Sequence, residues 1–133
     1  MKEKRASAKE VYTLADLRSW RDIDPPIRVG VFGDPVEHSL SPQIQNAALK
    51  HSKIDMQYAR FHILPAELRE GLNRVRELEF VGLNLTLPHK IAAPELLDRT
   101  DDDAKQIGAV NVIKIDNGKL YGFNTDGRGF ARA

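Results

Sequence analysis

Apolar and polar positions along the chain form blocks that predict strands and helices in turn. The run IRVGVFG at 27–33 is short, apolar and ends in glycine, which indicates a buried strand. MQYARFHI at 56–63 alternates and carries aromatic and β-branched residues, and FVGLNLT at 80–86 resumes the pattern, so both predict strands. AVNVIKI and KLYGFN flank Asn117-Gly118, and Asn-Gly is a favoured two-residue turn, so they predict a β-hairpin.

Helical patterns fill the gaps between these strands. Ser41-Pro42 is typical of a helix start, with serine as N-cap and proline at the first helical position. Ile44, Ala47 and Ala48 then fall on one face of the predicted helix. Three more helices are predicted: an amphipathic helix over 64–78, a short helix from Pro88 to about Leu97, and one near 100–107 capped by Thr100 or Asp101.

The first 26 residues are predicted to form an extension and linker before the domain. Within them, TLADLRSW predicts a short helix with Thr13 as N-cap and Asp16 three residues on, the spacing of a capping box. The two prolines of DIDPP then break the helix and favour extended chain. We therefore predict an N-terminal extension over 1–26 and one domain over 27–133, in which DGRGFARA begins a last helix.

The order of the predicted elements indicates the fold class. Strands alternate with helices before the hairpin, and such alternation is typical of a mostly parallel sheet covered by helices on both faces. The sequence thus predicts a three-layer α/β domain with a mostly parallel sheet and one C-terminal β-hairpin. Its 133 residues are enough for one domain with a single core.

Composition and charge exclude several classes of protein. The net charge of +1 gives no electrostatic basis for binding nucleic acid or an anionic membrane. The sequence has no cysteine, which excludes a disulfide framework and a cysteine-based metal site. No apolar run approaches the roughly 20 residues of a membrane span, and no apolar region follows the basic N-terminus as in a signal peptide. A cytoplasmic location follows by default.

Candidate chemistry lies in pairs of polar residues that follow the apolar strand segments. The members of a pair are two positions apart and so point to the same side of an extended chain. The pairs are Ser39 with Ser41, Asn84 with Thr86, and Asn124 with Asp126. Ligands bind beyond the carboxyl ends of parallel strands, and hydroxyls and amides both donate and accept. The pairs therefore suit a small ligand that carries hydroxyls and a carboxylate.

Each of these residues also has an ordinary structural explanation. Ser41 is a good helix cap, Ser39 a solvated loop residue, and Asp126 a cap for the last helix. Asn84 and Thr86 are typical of a turn, with Thr86 as the cap of the helix that follows Pro88. The four histidines have no metal-ligand spacing, so no metal site is predicted.

Lys90 lies in the first turn of the helix that Pro88 opens. The helix dipole makes that end an unfavourable place for a cation, so helix stability does not explain the residue. A lysine beside a carboxylate can exchange a proton with a substrate hydroxyl, and Asp126 is the natural partner. Taken alone, a lysine such as Lys90 is most often a surface charge.

Several sequence blocks together resemble the N-terminal, substrate-binding domain of shikimate dehydrogenases. They are GDPVEHSLSPQIQNAAL, GLNLTLPHK and IGAVNVIKIDNGKLYGFNTDGRGF, and the likeness runs from about residue 27 to the end of the chain. The resemblance implies the reversible, NADPH-dependent reduction of 3-dehydroshikimate to shikimate in aromatic amino-acid biosynthesis.

The resemblance also implies roles for individual residues. It implies that Ser39 and Ser41 bind the substrate carboxylate. The residues that would form hydrogen bonds with the ring hydroxyls are Asn84, Thr86, Asn111 and Asp126. Lys90 and Asp126 would form the catalytic pair. Lys90 would exchange the proton. Only the resemblance points to Asn111, which the pattern places in an ordinary strand.

Three positions depart from the family pattern. Gln45 stands where the family usually has histidine, Val112 where it often has threonine, and Leu85 where it often has valine. Leu85 faces away from the side of Asn84, so only Gln45 and Val112 bear on contacts around the substrate.

Family members continue into a glycine-rich NADP-binding domain that this sequence lacks. The GRG at 127–129 does not supply it, because Arg132 stands at the third glycine position of the dinucleotide fingerprint. The chain is therefore expected to be part of a longer enzyme and inactive as a dehydrogenase alone. Two alternatives stay open: a stand-alone, non-catalytic binding module for a shikimate-like acid, and part of an enzyme that acts on quinate.

Overall fold

A seven-stranded sheet forms the centre of the domain, and the computed structural model describes residues 8–126. The strands are β1 (Tyr12–Thr13), β2 (Ile27–Gly33), β3 (Gln57–His62), β4 (Gly82–Leu85), β5 (Arg99–Thr100), β6 (Val112–Asp116) and β7 (Lys119–Phe123). Their order across the sheet is β1-β3-β2-β4-β6-β7-β5. Only the two pairings that involve β6 are antiparallel. The predicted α/β domain with a mostly parallel sheet is confirmed.

Helices connect the strands of this described region. They are α1 (Leu14–Arg18), α2 (Ser41–His51), α3 (Leu68–Glu77), α4 (His89–Ala92) and α5 (Asp102–Ile107). Two 3₁₀ segments adjoin them, Pro65–Glu67 before α3 and Ala93–Leu96 after α4. Pro94 lies inside the predicted helix from 88 to 97, where its missing N–H interrupts the regular hydrogen bonding, whereas Pro65 stands at the start of its segment, a position that proline favours. Within residues 8–126, no helix is long and apolar enough to cross a membrane.

Apolar side chains pack on both faces of the sheet, because successive residues of a strand point to opposite sides. In β2, Phe32 belongs to the large core that contains residues of α1 and α3. Its neighbour Val31 belongs to a smaller cluster, against which Leu49 of α2 packs. Helices therefore lie on both faces, with α1 and α3 on one side and α2 on the other.

The described part of the N-terminal extension packs against this core. The helix α1 is capped as predicted, because the Thr13 side chain accepts from the Asp16 backbone and the Asp16 side chain bonds back to the Thr13 backbone. The rings of Tyr12 and Trp20 lie 5.5 and 6.1 Å from the ring of Phe61 in β3. Residues of the extension thus bury apolar surface with the domain, while the boundary at residue 27 stays a prediction.

The hairpin and the cap of α5 follow the sequence signals. Asn117 and Gly118 turn the chain with φ values of 51° and 74°, the positive values that a tight hairpin turn requires. Of the two candidate caps for α5, the structure selects Asp101. Its carboxylate accepts the Ala104 N–H at 2.9 Å.

The predicted cap of α2 is wrong by one residue. Leu40 is the N-cap and Ser41 is the first residue of the helix, and no side chain caps this end. The hydroxyl of Ser39 instead accepts the Ser41 N–H at 3.3 Å. The Ser41 hydroxyl is therefore free of the capping role that the sequence favoured.

The predicted apolar face of α2 does not pack on the sheet. Ile44 is 65% exposed, and Ala47 and Ala48 are exposed as well. The helix contacts β3 through Asn46, whose amide forms two hydrogen bonds with the backbone of Tyr58. Polar pairing with a strand therefore sets the orientation of α2.

We expect Gly30→Ala to lower the free energy of unfolding by about 2–3 kcal/mol, within the usual cost of overpacking. A Cβ at this position would lie 2.7 Å from both the Ala59 carbonyl oxygen and the Phe61 ring. Gly82→Ala on the adjacent β4 is the matched control, because its nearest atom, the Ile113 carbonyl oxygen, is 3.3 Å away. Urea unfolding should show a loss below about 1 kcal/mol for the control. Equal losses in the two variants would contradict this packing.

Candidate functional site

A cavity of about 390 Å³ opens at one edge of the sheet. It lies beyond the C-terminal ends of β2, β4 and β7 and beside the start of β6, which runs antiparallel to its two neighbours. It is lined by all seven residues to which the family resemblance gives a role, namely Ser39, Ser41, Asn84, Thr86, Lys90, Asn111 and Asp126. Their roles stay predictions, but one small ligand can contact all of them.

The loop between β2 and α2 brings the two serines to the cavity. The Ser39 carbonyl accepts two bonds from the Arg60 guanidinium, at 2.9 and 2.6 Å. Arg60 also donates to Gln43 in the first turns of α2, at 3.1 Å. Arg60 thus ties β3 to the serine loop and places a positive charge behind it. No sequence signal marks this role, because Arg60 reads as an ordinary polar position of an alternating strand.

The side chain of Asn84 reaches the cavity from β4. Leu83 and Leu85 enter the large core, so Asn84 points to the opposite face of the sheet, as the alternation predicts. The hydroxyl of Tyr58 in β3 donates to Asn84 Oδ1 at 2.7 Å. Tyr58 itself is 6% exposed. Asn84 is therefore held from behind by a buried side chain that sequence reasoning did not single out.

Thr86 lies against the end of β2. Its methyl group occupies the position that a side chain at Gly33 would take, 2.5 Å from an ideal Cβ there. Glycine at the end of β2 therefore lets Thr86 approach the neighbouring strand closely. The side chain of Thr86 does not cap α4, because the bond to the His89 N–H comes from the Thr86 carbonyl, at 3.0 Å.

Lys90 and Asp126 meet at the rim of the cavity. Lys90 Nζ lies 3.0 Å from Asp126 Oδ2, and the two side chains are 29% and 58% exposed. The carbonyl of Lys90 accepts the Val110 N–H at 2.8 Å, which fixes α4 beside the start of β6. An exposed ion pair of this kind contributes little to stability.

Asn111 holds the segment that carries Asp126. Its Nδ2 donates to Thr125 Oγ1 at 2.9 Å, and its Oδ1 accepts the Thr125 N–H at 3.0 Å. The second N–H of its amide remains for a ligand.

The expectation that Asn124 faces the ligand with Asp126 is wrong. Asn124 is 4% exposed and donates to the Ala109 carbonyl at 3.0 Å. The reason is that β7 ends at Phe123, so the two residues are not spaced along an extended strand. The helix predicted in DGRGFARA, which Asp126 would cap, and the GRG at 127–129 lie outside the described residues.

His89 is a buried anchor next to Lys90. It is 1% exposed, and its Nε2 lies 2.6 Å from the carbonyl oxygen of Ile63 at the end of β3. A carbonyl only accepts, so Nε2 carries the proton. Burial lowers the pKa of His89, against the opposing effects of this hydrogen bond and of Asp34. The neutral ring therefore fastens α4, and with it Lys90, to the sheet.

The donor set of the cavity suits a small polar organic molecule. Within residues 8–126, no group of three or more histidine, aspartate or glutamate side chains is placed to hold a metal ion. In the same range, no strand is followed by the glycine-rich turn and helix that bind dinucleotide phosphates. The described residues thus do not fit a nicotinamide dinucleotide.

Comparisons with known proteins give this site a context. A sequence model described as "Shikimate dehydrogenase substrate binding domain" matches residues 31–113. The shikimate dehydrogenase (NADP(+)) of Methanopyrus kandleri is 50% identical over 105 residues, which cover 79% of this chain and 36% of that protein.

Solved structures give the same result for the fold. Shikimate dehydrogenase from Aquifex aeolicus is 45% identical with a TM-score of 0.76, over 78% of this chain and 39% of that one. Shikimate 5-dehydrogenase from Thermus thermophilus, solved in complex with NADP(H) and shikimate, is 42% identical with a TM-score of 0.73, over 80% and 40% of the two chains. The chain thus spans less than half the length of these relatives.

We expect His89→Gln to remove a pH dependence of stability near neutrality. Glutamine can keep a neutral N–H donor for the Ile63 carbonyl but does not titrate. In the wild type, the unfolded chain takes up a proton near pH 6.5 that the folded chain resists, so its free energy of unfolding falls as the pH drops. Relative to His89→Gln, urea unfolding should show a loss of up to about 1 kcal/mol between pH 7.5 and 5.5.

His51→Gln is the matched control, since His51 is exposed on α2. It should keep the wild-type pH dependence. An unchanged slope in His89→Gln would show that folding does not lower the pKa of the buried ring and would contradict the assignment.

Proposed function

Because this chain belongs to the shikimate dehydrogenase substrate-binding domain family, we propose that its cavity binds shikimate and 3-dehydroshikimate. In the enzyme it would form the substrate-binding and acid/base half for the reversible, NADPH-dependent interconversion of the two, in aromatic amino-acid biosynthesis in the cytoplasm. The observation that carries the proposal is the common cavity of the predicted site residues. The proposed domain for this role is 27–133, as in the sequence analysis.

The substrate carboxylate is assigned to the serine loop. The hydroxyl of Ser39 accepts the Ser41 N–H, so its own proton can be donated to a carboxylate oxygen. The hydroxyl of Ser41 is not used as a helix cap. Arg60 lies behind the loop and favours negative charge there without entering the lining of this cavity. In this positive field the Ser39 hydroxyl can donate to a carboxylate, and the Ser41 hydroxyl, which bonds Tyr58 in the free chain, would turn to the carboxylate when the ligand binds.

The ring hydroxyls are assigned to the amide, hydroxyl and carboxylate groups across the cavity, namely Asn84, Thr86, Asn111 and Asp126. These groups reach it from separate segments that meet at one sheet edge. A ligand that carries several hydroxyls on a ring presents them in different directions. Polar groups on separate segments can therefore bind them at the same time, which a single pair of residues cannot.

Lys90 is assigned the proton that enters or leaves the substrate. Reduction of a ring carbonyl to an alcohol needs a hydride at carbon, which is the chemistry that the nicotinamide supplies, and a proton at oxygen. The ammonium of Lys90 would donate that proton, and in the reverse direction the neutral amine would accept it from the alcohol. Asp126, 3.0 Å away, orients the ammonium and stabilises its positive charge.

The names of the relatives favour an enzyme part over a stand-alone binding module. The relatives described above are dehydrogenases, and that of Methanopyrus kandleri is named as NADP-dependent. Since the described residues do not fit the dinucleotide, NADP is assigned to the part of these relatives that this chain does not match. The chain alone is then expected to bind the substrate and to show no turnover with NADP.

Calorimetric titration of the chain with shikimate tests the assignment of the carboxylate. Ser39→Ala and Ser41→Ala should each weaken binding by about ten- to a hundredfold, the effect of one lost hydrogen bond to a charged group. With shikimate methyl ester, which lacks the charge, the same variants should bind nearly as the wild type does. Ser52→Ala, at the exposed end of α2, is the matched control. Absence of shikimate binding by the wild-type chain would overturn the proposed function.

Lys90→Ala in a full-length protein that contains this chain tests the assignment of the proton. The turnover number should fall by about 10²–10⁴-fold, because the general acid is lost, while KM changes little. Lys105→Ala on the exposed side of α5 should leave both constants unchanged. A rise in KM with preserved turnover would make Lys90 a binding residue only.

A further inference from the structure

We propose that Tyr58 is a positioning residue that fixes the Asn84 amide so that its N–H groups face the substrate. No sequence signal singles Tyr58 out, and it does not line the cavity itself. The proposal concerns which end of the amide faces the cavity, and the identity of the ligand rests on the function proposed above.

The hydroxyl of Tyr58 acts as a donor toward Asn84. It lies 2.7 Å from Asn84 Oδ1, on a side chain that is 6% exposed. Burial raises the pKa of Tyr58 to about 12, partly offset by a hydrogen bond with Ser41, so the phenol keeps its proton at neutral pH. A phenol oxygen that takes part in a bond with Ser41 has its own O–H available for the amide oxygen.

The bond decides which end of the amide the ligand meets. With Oδ1 engaged by Tyr58, the NH₂ group of Asn84 is the end left for the cavity that Asn84 lines. No partner of Nδ2 is found among residues 8–126. The NH₂ group of Asn84 can therefore donate hydrogen bonds to an oxygen of the ligand. A donor suits both states of a carbonyl/alcohol pair, because carbonyl and hydroxyl oxygens both accept hydrogen bonds.

Tyr58 is itself held in place by α2. The Tyr58 N–H donates to Asn46 Oδ1 at 2.8 Å, and Asn46 Nδ2 donates to the Tyr58 carbonyl at 3.0 Å. The amide of Asn46 thereby pairs with β3 as a neighbouring strand would. Since α2 begins at Ser41, the same helix sets both the serine end of the cavity and the residue that orients Asn84. The two halves of the ligand site are thus coupled through Tyr58.

A double-mutant cycle on the chain tests the proposal, with shikimate affinity measured by calorimetry. Tyr58→Phe removes the bond but keeps the ring, and should weaken binding by about three- to tenfold, because the freed Asn84 must be ordered on binding. In an Asn84→Ala background the same change should have an effect below about twofold. Tyr121→Phe on β7, the matched control, should leave affinity unchanged. Additive losses from Tyr58→Phe and Asn84→Ala would overturn the proposal and leave Tyr58 with a purely structural role.

Nuclear magnetic resonance of the wild-type chain provides a test that does not depend on the folding of any variant. Saturation with shikimate should shift the Nδ2 protons of Asn84 as they gain an acceptor. Unshifted protons in the bound state would overturn the proposal. If the wild-type chain does not bind shikimate, the proposed function fails instead. The orientation is then judged from a contact between the Tyr58 hydroxyl proton and the Asn84 side chain in the free chain, whose absence would overturn it.

Discussion

The direction of the strands is the constraint on which the site depends. The strands β2, β4 and β7 run the same way, and β6 runs against them. The C-terminal ends of the first three strands and the N-terminal end of β6 therefore lie at the same edge of the sheet. Backbone hydrogen bonds extend the pairing past the strand ends and hold this edge closed. The Leu85 N–H donates to the Asn111 carbonyl at 2.9 Å, and the Asn111 N–H to the Phe123 carbonyl at 3.0 Å. Loops that start from such a fixed edge can carry ligand-binding groups with defined geometry.

Local sequence signals predicted most of the fold, and non-local pairing accounts for what they missed. The strand over 27–33 and the turn at Asn117-Gly118 are found where the pattern places them, since both are decided by neighbouring residues. The strands β1 and β5 were not predicted, because two-residue strands leave no period to read and exist only by pairing with distant partners.

For the site, the spacing rule predicted correctly that both members of a pair line the cavity for Ser39 with Ser41 and for Asn84 with Thr86, but not for Asn124 with Asp126. It placed Asn84 correctly but misplaced Asn124, which follows the end of β7. The sequence pattern did not predict the side chains that support the site, because their roles depend on contacts between separate elements. Tyr58, Arg60 and His89 read as strand or helix positions of no special note, yet each bonds to a segment more than 20 residues away in sequence.

The distribution of charge in the site follows from the cost of burial. The buried supports, Tyr58 and His89, are uncharged, and each has a hydrogen-bond partner, because an ion at such a depth would lose its hydration without full compensation. The charges of Lys90 and Asp126 lie instead at the half-exposed rim, where they remain hydrated until a ligand covers them. A ligand that covers this rim would strengthen the interaction between the pair, since Coulomb energies grow as water is excluded. The site is thus divided into a buried, neutral part whose side chains are held by hydrogen bonds and a charged rim that is open to solvent.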